Sequence, residues 1–302
     1  MTEPVAGDSN IMAADEIAAV AGRRRQIRRQ FARLFGNPLS AVGLALSAAF
    51  VLMAIAAPLL APHDPLAMDP SKRLAAPSAL HWFGTDDGGR DILARVIYGT
   101  RSSLLTALGI LSLASVIGTS IGLAAGYFGG WVDETLMRIT DMFLAFPALV
   151  LAMGLAAALG PSLFNAMLAT AVVWWPWYAR LVRGQALHLK NEAFVEAARV
   201  AGASGLRISV RHILRNCLTP IIVQMSLDIG YAILTLSSLS FIGLGAQPPT
   251  PEWGSMVSIG RDYFLDQWWI VTFPGLAIFV SVMAFNLLGD GLQESLSPRL
   301  RR

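Results

Sequence analysis

The residues of this chain with catalytic potential are few. Gly118-Thr119-Ser120-Ile121-Gly122 has the G-x-S-x-G spacing in which hydrolases hold a nucleophilic serine. That elbow needs a strand, a sharp turn and a helix, with His and Asp partners. Here the five residues lie inside an apolar run of helical length, without strand signals. The run continues to Gly126, so Gly118, Gly122 and Gly126 form a small-residue stripe along which helices can approach closely. Packing is the expected role, and no catalytic residue is assigned. The four histidines, His63, His81, His188 and His212, are far apart in sequence and none has metal-ligand spacing, so no metal site is expected. No phosphate-cradling loop ending in Gly-Lys-[Ser/Thr] occurs: neither lysine, Lys72 or Lys190, follows glycine. This chain binds no ATP by that motif, and if ATP drives it, another chain supplies it.

Carboxylates within apolar runs are costly and therefore informative. Asp228 falls about ten residues into one such run, near mid-membrane if the helix is straight. Asp141 lies close to Arg138 in sequence, and Asn286 and Asp290 lie toward the end of the last run. Such groups either bond between helices and cap their ends, or line a water-filled pathway. Asp141 and Asp228, with Ser237 in the same run as Asp228, are the pathway candidates.

The elements that must position these residues follow from composition. Of 302 residues, 55% are hydrophobic and only 14% charged, against about 25% charged in soluble domains. The net charge of +3 is too small to suggest nucleic acid as partner. The single cysteine, Cys217, rules out an intrachain disulfide and reads as a small buried residue. A membrane-crossing helix needs about 20 mostly apolar residues. Runs of that kind lie at about 39–61, 103–125, 139–159, 163–181, 218–245 and 269–288, predicting an all-α membrane protein with about six spans.

Arginine and lysine orient the spans. With the N-terminus inside, 17 of 23 basic residues fall on the cytoplasmic side, as the positive-inside rule expects. Both termini are then cytoplasmic. The run after Pro38 is longer than the 7–15 residues of a signal peptide's apolar core, so it is read as an uncleaved first span. The divisions are a basic tail at 1–36, a first span at 37–62, an extracytoplasmic segment at 63–100, a core at 101–298 and a tail at 299–302. Segment 246–267, with its prolines, is expected outside and irregular, and Trp268 and Trp269 as an interfacial anchor.

Between the fourth and fifth spans, on the inside, lies EAARVAGASGLRISVRHILRN, Glu196–Asn216. Phe194, Val195, Ala198 and Ala201 recur at helical spacing, Gly202 can end that helix in a left-handed cap, and Ser204 can cap a second one. A helix, a tight turn and another helix along the membrane face are predicted. An interfacial amphipathic helix is the plainer reading; a docking element accounts better for the rigid turn and the missing energy source.

Glu196-Ala197-Ala198, then Gly202, then His212-Ile213-Leu214 and Asn216 resemble the EAA loop of ABC importer permeases, here spanning 190–216. NPLSAVGL, HWFGTDDGGRDILARVIYGTRSSL, GYFGGWVDETLMRITDMFLAFPAL, LSFIGLGAQPPTPEWGSMV and FPGLAIFVSVMAFNLLGDGL are similar to the dipeptide/oligopeptide/nickel branch, second membrane subunit, over nearly everything after Asn37. The resemblance implies a type I importer transmembrane domain in the bacterial inner membrane, translocating short peptides. It also implies a second permease, two ATPases that bind ATP and Mg, and an extracytoplasmic binding protein. Glu196, Ala197, Ala198, Arg199, Gly202, Ala203, Ser204, His212 and Asn216 would form the coupling element, with Glu196 and Arg199 touching the ATPase. Arg215 stands where the family often has proline; together with GPSLFNAML and RGQAL it hints at the D,D-dipeptide subgroup. Nickel-chelate, glutathione or other small-solute import remain alternatives within the family. Outside it stand a proton-coupled transporter using Asp141 or Asp228, an intramembrane enzyme and a membrane scaffold.

Overall fold

A computed structural model describes residues 37–296. The two charged tails, including the arginines at 23–33 and 299–302, lie outside the described residues. Within them the regular structure is helical, apart from one isolated bridge between Thr85 and Asp91. The elements are α1 (Pro38–Leu60), α2 (Ile92–Phe128), α3 (Gly130–Leu144), α4 (Ala148–Leu159) and α5 (Leu163–Leu189). They continue with α6 (Ala193–Val200), α7 (Gly205–Phe241), α8 (Trp253–Gly260) and α9 (Trp269–Leu296).

Each predicted run folds as helix, but not each as one straight span. Four helices, α1, α2, α7 and α9, are long and apolar enough to cross a membrane among the described residues. The predicted third span is instead the pair α3 and α4, bent by 87° at Ala145-Phe146-Pro147. Pro147 explains the break: its ring disfavours helical geometry at Phe146. Counting that pair gives five. α5, though 27 residues long, is less apolar because it carries Asn165, Pro176, Arg180 and Arg183.

Two helices outrun the bilayer. α2 and α7 have 37 residues each, or about 56 Å at 1.5 Å per residue, against a hydrocarbon core of about 30 Å. The extra turns of α2 begin at Asp91, whose carboxylate accepts from the Ala94 N–H at 2.7 Å. Those of α7 begin at Ser204 and include a π-helical stretch at Ile208–Ile213.

α2 is the central helix and packs most extensively on α5. The glycine stripe makes that approach possible. A Cβ at Gly118 would sit 2.5 Å from the Tyr178 Cβ, and one at Gly126 would sit 2.7 Å from the Ala186 Cβ. Ser120, the elbow residue, spends its hydroxyl on the Val116 carbonyl at 2.8 Å, as the packing reading expects.

One end of the bundle is closed by segment 61–91 and α8. Arg95, 1% exposed, donates to the Pro65 and Pro249 carbonyls at 3.0 and 3.2 Å and lies 3.4 Å from Asp86. Trp253 Nε1 donates to the Val96 carbonyl at 3.0 Å. Trp269, expected at the lipid interface, is instead buried and directs its indole N–H to the Thr85 carbonyl at 3.3 Å; Trp268 alone is exposed. The prolines at 248–251 bound a helix rather than prevent one. α8 starts directly after them, capped by Glu252, whose carboxylate accepts from the Gly254 and Ser255 N–H groups at 3.0 and 2.9 Å.

Candidate functional site

At the opposite end, α6 stops by a built device. The Gly202 N–H donates to the Arg199 carbonyl and the Ala203 N–H to the Ala198 carbonyl, both at 3.0 Å, with φ +79° at Gly202. This pair of bonds is a Schellman closure, which requires a left-handed residue at the turn. A Cβ at Gly202 would meet nothing within 4 Å. Glycine is therefore needed for its conformation and not for space.

The inner face of this element is apolar. Val195, Ile208, Ile213 and Cys217 are buried against Leu123, Val182 and Ala186, with Ala198 and Ala203 packed at the margin. Glu196, Ala197, Arg199 and Ser204 face solvent. Val200 and Leu206 are also exposed, at 85% and 69%, beside Arg207 and Arg211. The Ser204 Oγ accepts from the Arg207 N–H at 3.4 Å, and the Asn216 amide donates to the His212 carbonyl at 2.7 Å. The predicted second surface helix does not exist separately. Residues 205–216 are the first turns of α7, so the turn is joined to a spanning helix without a break. Backbone hydrogen bonding explains this: Leu214 donates to the Ser209 carbonyl, carrying the helix through the π stretch.

A second feature lies between α4, α5 and α7. A groove of about 750 Å³ is lined by Trp174, Trp177, Tyr178, Arg180, Asp228 and Tyr231, among others. The Tyr178 hydroxyl donates to Asp228 Oδ2 at 2.7 Å and Gln224 Nε2 to Oδ1 at 2.9 Å. Asp141, which sequence proximity linked to Arg138, pairs instead with Arg180 at 2.7 Å; Arg138 pairs with Glu134 at 3.3 Å. Glu134 and Arg138 stand one turn apart on α3, while Arg180 of α5 reaches Asp141 from the neighbouring helix. Ser237 lies elsewhere, buried against Gly254 of α8. Nearby, burial raises the Glu252 carboxyl above its ordinary value, while the Gly254 and Ser255 backbone hydrogen bonds oppose that rise.

Sequence reasoning did not reach Tyr178, Gln224, Arg180 or the two groove tryptophans. For the tyrosine and the tryptophans the only signal was the aromatic run Trp174-Trp175-Pro176-Trp177-Tyr178. Arg183, which opens the RGQAL stretch, makes a bidentate pair with Asp133 at 2.5 and 2.7 Å, tying α3 to α5. Two of the histidines also meet in the fold. His63 and His81, remote in sequence, converge on Asp91 at 3.5 and 2.8 Å.

The described helices include four long and apolar enough to cross a membrane, and comparison with known proteins shows the family. Residues 118–302 match the binding-protein-dependent transport system inner membrane components, and the chain belongs to that family. Residues 25–77 match the N-terminal transmembrane domain of oligopeptide transport permease C. Among its relatives is the probable D,D-dipeptide transport system permease protein DdpC of Escherichia coli (strain K12), 50% identical over 96% of this chain and 98% of that protein. The dipeptide transport system permease protein DppC of Alkalihalophilus pseudofirmus is 47% identical, covering 91% and 90%. The glutathione transport system permease protein GsiD of Pectobacterium atrosepticum is 44% identical, covering 90% and 91%. The fold is similar to that of the MetNI methionine ABC transporter in inward-facing conformations. The TM-score is 0.53 at 17% identity, over 68% of this chain and 98% of that one.

Proposed function

We propose that this chain is one of two permease subunits of an ATP-driven importer of short peptides in the bacterial inner membrane, with D,D-dipeptides or ordinary dipeptides as substrate. Of two ATP- and Mg-binding subunits, one docks on α6 and its turn and the other on the partner permease, and a binding protein delivers substrate at the end closed by segment 61–91. The observation that carries this reading is the Schellman-closed turn at Gly202. It is rigid, apolar inside, exposed outside and continuous with α7. The substrate follows the names of the Escherichia coli and Alkalihalophilus relatives; glutathione is the second reading, after the Pectobacterium relative.

In this reading Glu196 and Arg199 make polar contacts to an ATPase, while Val200 and Leu206 fill its cleft. ATP binding moves α6 as a rigid body, and because α7 starts at Ser204 the motion passes directly into the helix that carries Asp228. His212 and Asn216 hold the first turns of α7 that transmit it. The groove then alternates between the two membrane faces. Asp228 supplies a carboxylate suited to a peptide ammonium group, and Asp141 with Arg180 stands at its edge. Ser237, on the α8 side of α7, supports that helix from outside the groove. Both termini are cytoplasmic, supported by the arginines clustered at the turn end. The functional divisions are the tail at 1–36, first span at 37–62, outer segment at 63–100, core at 101–298 with its coupling loop at 190–216, and tail at 299–302.

The test is purification from the native membrane in mild detergent, with the co-purifying proteins identified. A second permease and two P-loop ATPases are expected. Recovery of this chain alone, under conditions that keep related complexes intact, would overturn the reading in favour of a proton-coupled transporter.

A further inference from the structure

His63, His81 and Asp91 come from three places in the chain: the residues just after α1, the loop before α2, and the N-cap of α2. His81 Nδ1 is 2.8 Å and His63 Nδ1 is 3.5 Å from the same carboxylate oxygen, Asp91 Oδ2. One donor atom from each residue lies within 4.8 Å of the other two. Ligands held about 2.0 Å from a tetrahedral zinc stand about 3.3 Å apart, and the two His–Asp spacings bracket that figure.

The surroundings fit a metal better than a simple hydrogen-bonded cluster. The other oxygen of Asp91 is held by the Ala94 N–H at 2.7 Å, which fixes the carboxylate and leaves Oδ2 facing both rings. Hydrogen bonding alone pairs His81 Nδ1 but leaves His63 Nδ1, and also His81 Nε2, buried without a hydrogen-bond partner. The two rings lie with centroids 4.9 Å apart. His63 also borders an open groove of about 580 Å³ with Asp64, Leu66, Tyr98 and Pro251, which provides an entry path and room for a fourth ligand.

We propose that His63 Nδ1, His81 Nδ1 and Asp91 Oδ2 form a site for a zinc-class divalent ion, with water from the groove completing the tetrahedron. Two imidazoles and one carboxylate are the donor set of that ion class. Binding through Nδ1 places the proton of the neutral His81 ring on Nε2 and clamps the end of α1 and the loop before α2 to the α2 N-terminus. The site lies at the end of the bundle remote from α6, and it is independent of the transport reading.

The probe is Co²⁺, titrated into the full chain after chelator treatment, purified in detergent with a histidine-free affinity tag. One Co²⁺ per chain is expected, with the intensified visible absorption of tetrahedral cobalt, displaced by Zn²⁺. His63→Gln and His81→Gln should each abolish that band and weaken binding at least about tenfold. His188→Gln, at an exposed histidine outside the cluster, should leave it unchanged. Should His81→Gln fail to fold, His63→Gln decides alone, since that side chain is 34% exposed. As a second measurement, Zn²⁺ should raise the thermal midpoint of the wild type but not of His63→Gln. Absence of the tetrahedral band in the wild type, or its survival in His63→Gln, overturns the proposal.

Discussion

The Tyr178 hydroxyl donates a 2.7 Å hydrogen bond to Asp228 across fifty residues of chain, joining α5 to α7 at the wall of the groove. With Gln224 on the other oxygen at 2.9 Å, both carboxylate oxygens have a protein donor. The carboxylate is thus at once a helix–helix joint and part of the groove surface.

These two roles separate on mutation. Tyr178→Phe removes the joint and should lower stability by about 0.6–2 kcal/mol, the range of hydrogen bonds between membrane helices. Asp228→Asn keeps the shape and removes the charge. Stability should then change less, while uptake falls by about tenfold, or about 1.4 kcal/mol, if the charge serves transport. Thermal midpoints and uptake in reconstituted vesicles check the pair; equal uptake by Asp228→Asn would sink the pathway role.

Gly202 carries the turn through its φ of +79°. A side chain there costs about 1–2 kcal/mol in left-handed geometry and meets no steric obstacle. Gly202→Val should therefore abolish uptake while leaving membrane abundance intact. Gly202→Asn should be intermediate, because asparagine tolerates that conformation. Uptake assays normalised to the amount of inserted protein read the order.

The glycine stripe should tolerate nothing larger. A Cβ at Gly122 would stand 3.0 Å from the Arg183 nitrogen and closer still to the Ala179 carbonyl. Gly122→Leu is expected to cost about 1–3 kcal/mol or more through overpacking. Gly154→Leu, on α4 where a Cβ meets nothing within 4 Å, should be close to neutral. Yields and thermal midpoints of the two variants, measured side by side, make the comparison.

Glu252 predicts a pH dependence. Its carboxyl is fully buried and its pKa is raised by that burial, so the folded protein holds the proton more tightly than the unfolded chain. Its contribution to stability is then greatest at low pH and declines as pH rises through the folded pKa. Glu252→Gln removes that slope, so the difference in midpoint, mutant minus wild type, should grow with pH. Glu252→Ala loses the cap at every pH, at a cost of about 0.5–2 kcal/mol.

How much was legible varies with how local the signal is. Span positions follow from unbroken apolar runs, and the turn at Gly202 from one glycine after a helical period. The bend at 145–147 was equally local, since Phe146 precedes a proline, yet the apolar run masked it. The extra turns of α2 and α7 were harder to see. Their residues are mixed in polarity, and packing against Arg95 and the buried cluster at Ile208 supports them rather than hydropathy.

By itself, then, the sequence determined that the chain is a helical membrane protein, that it lacks a phosphate loop, and that a helix ends in a capped turn at Gly202. These are properties of composition and of neighbours within a few residues. Only the tertiary structure decided which side chains meet: Tyr178 with Asp228, Asp141 with Arg180, and His63 with His81 at Asp91. Such pairs depend on which faces of different helices and loops are turned toward one another. That orientation follows from long-range packing, such as α2 against α5 along Gly118, Gly122 and Gly126, and spacing along the chain does not encode it.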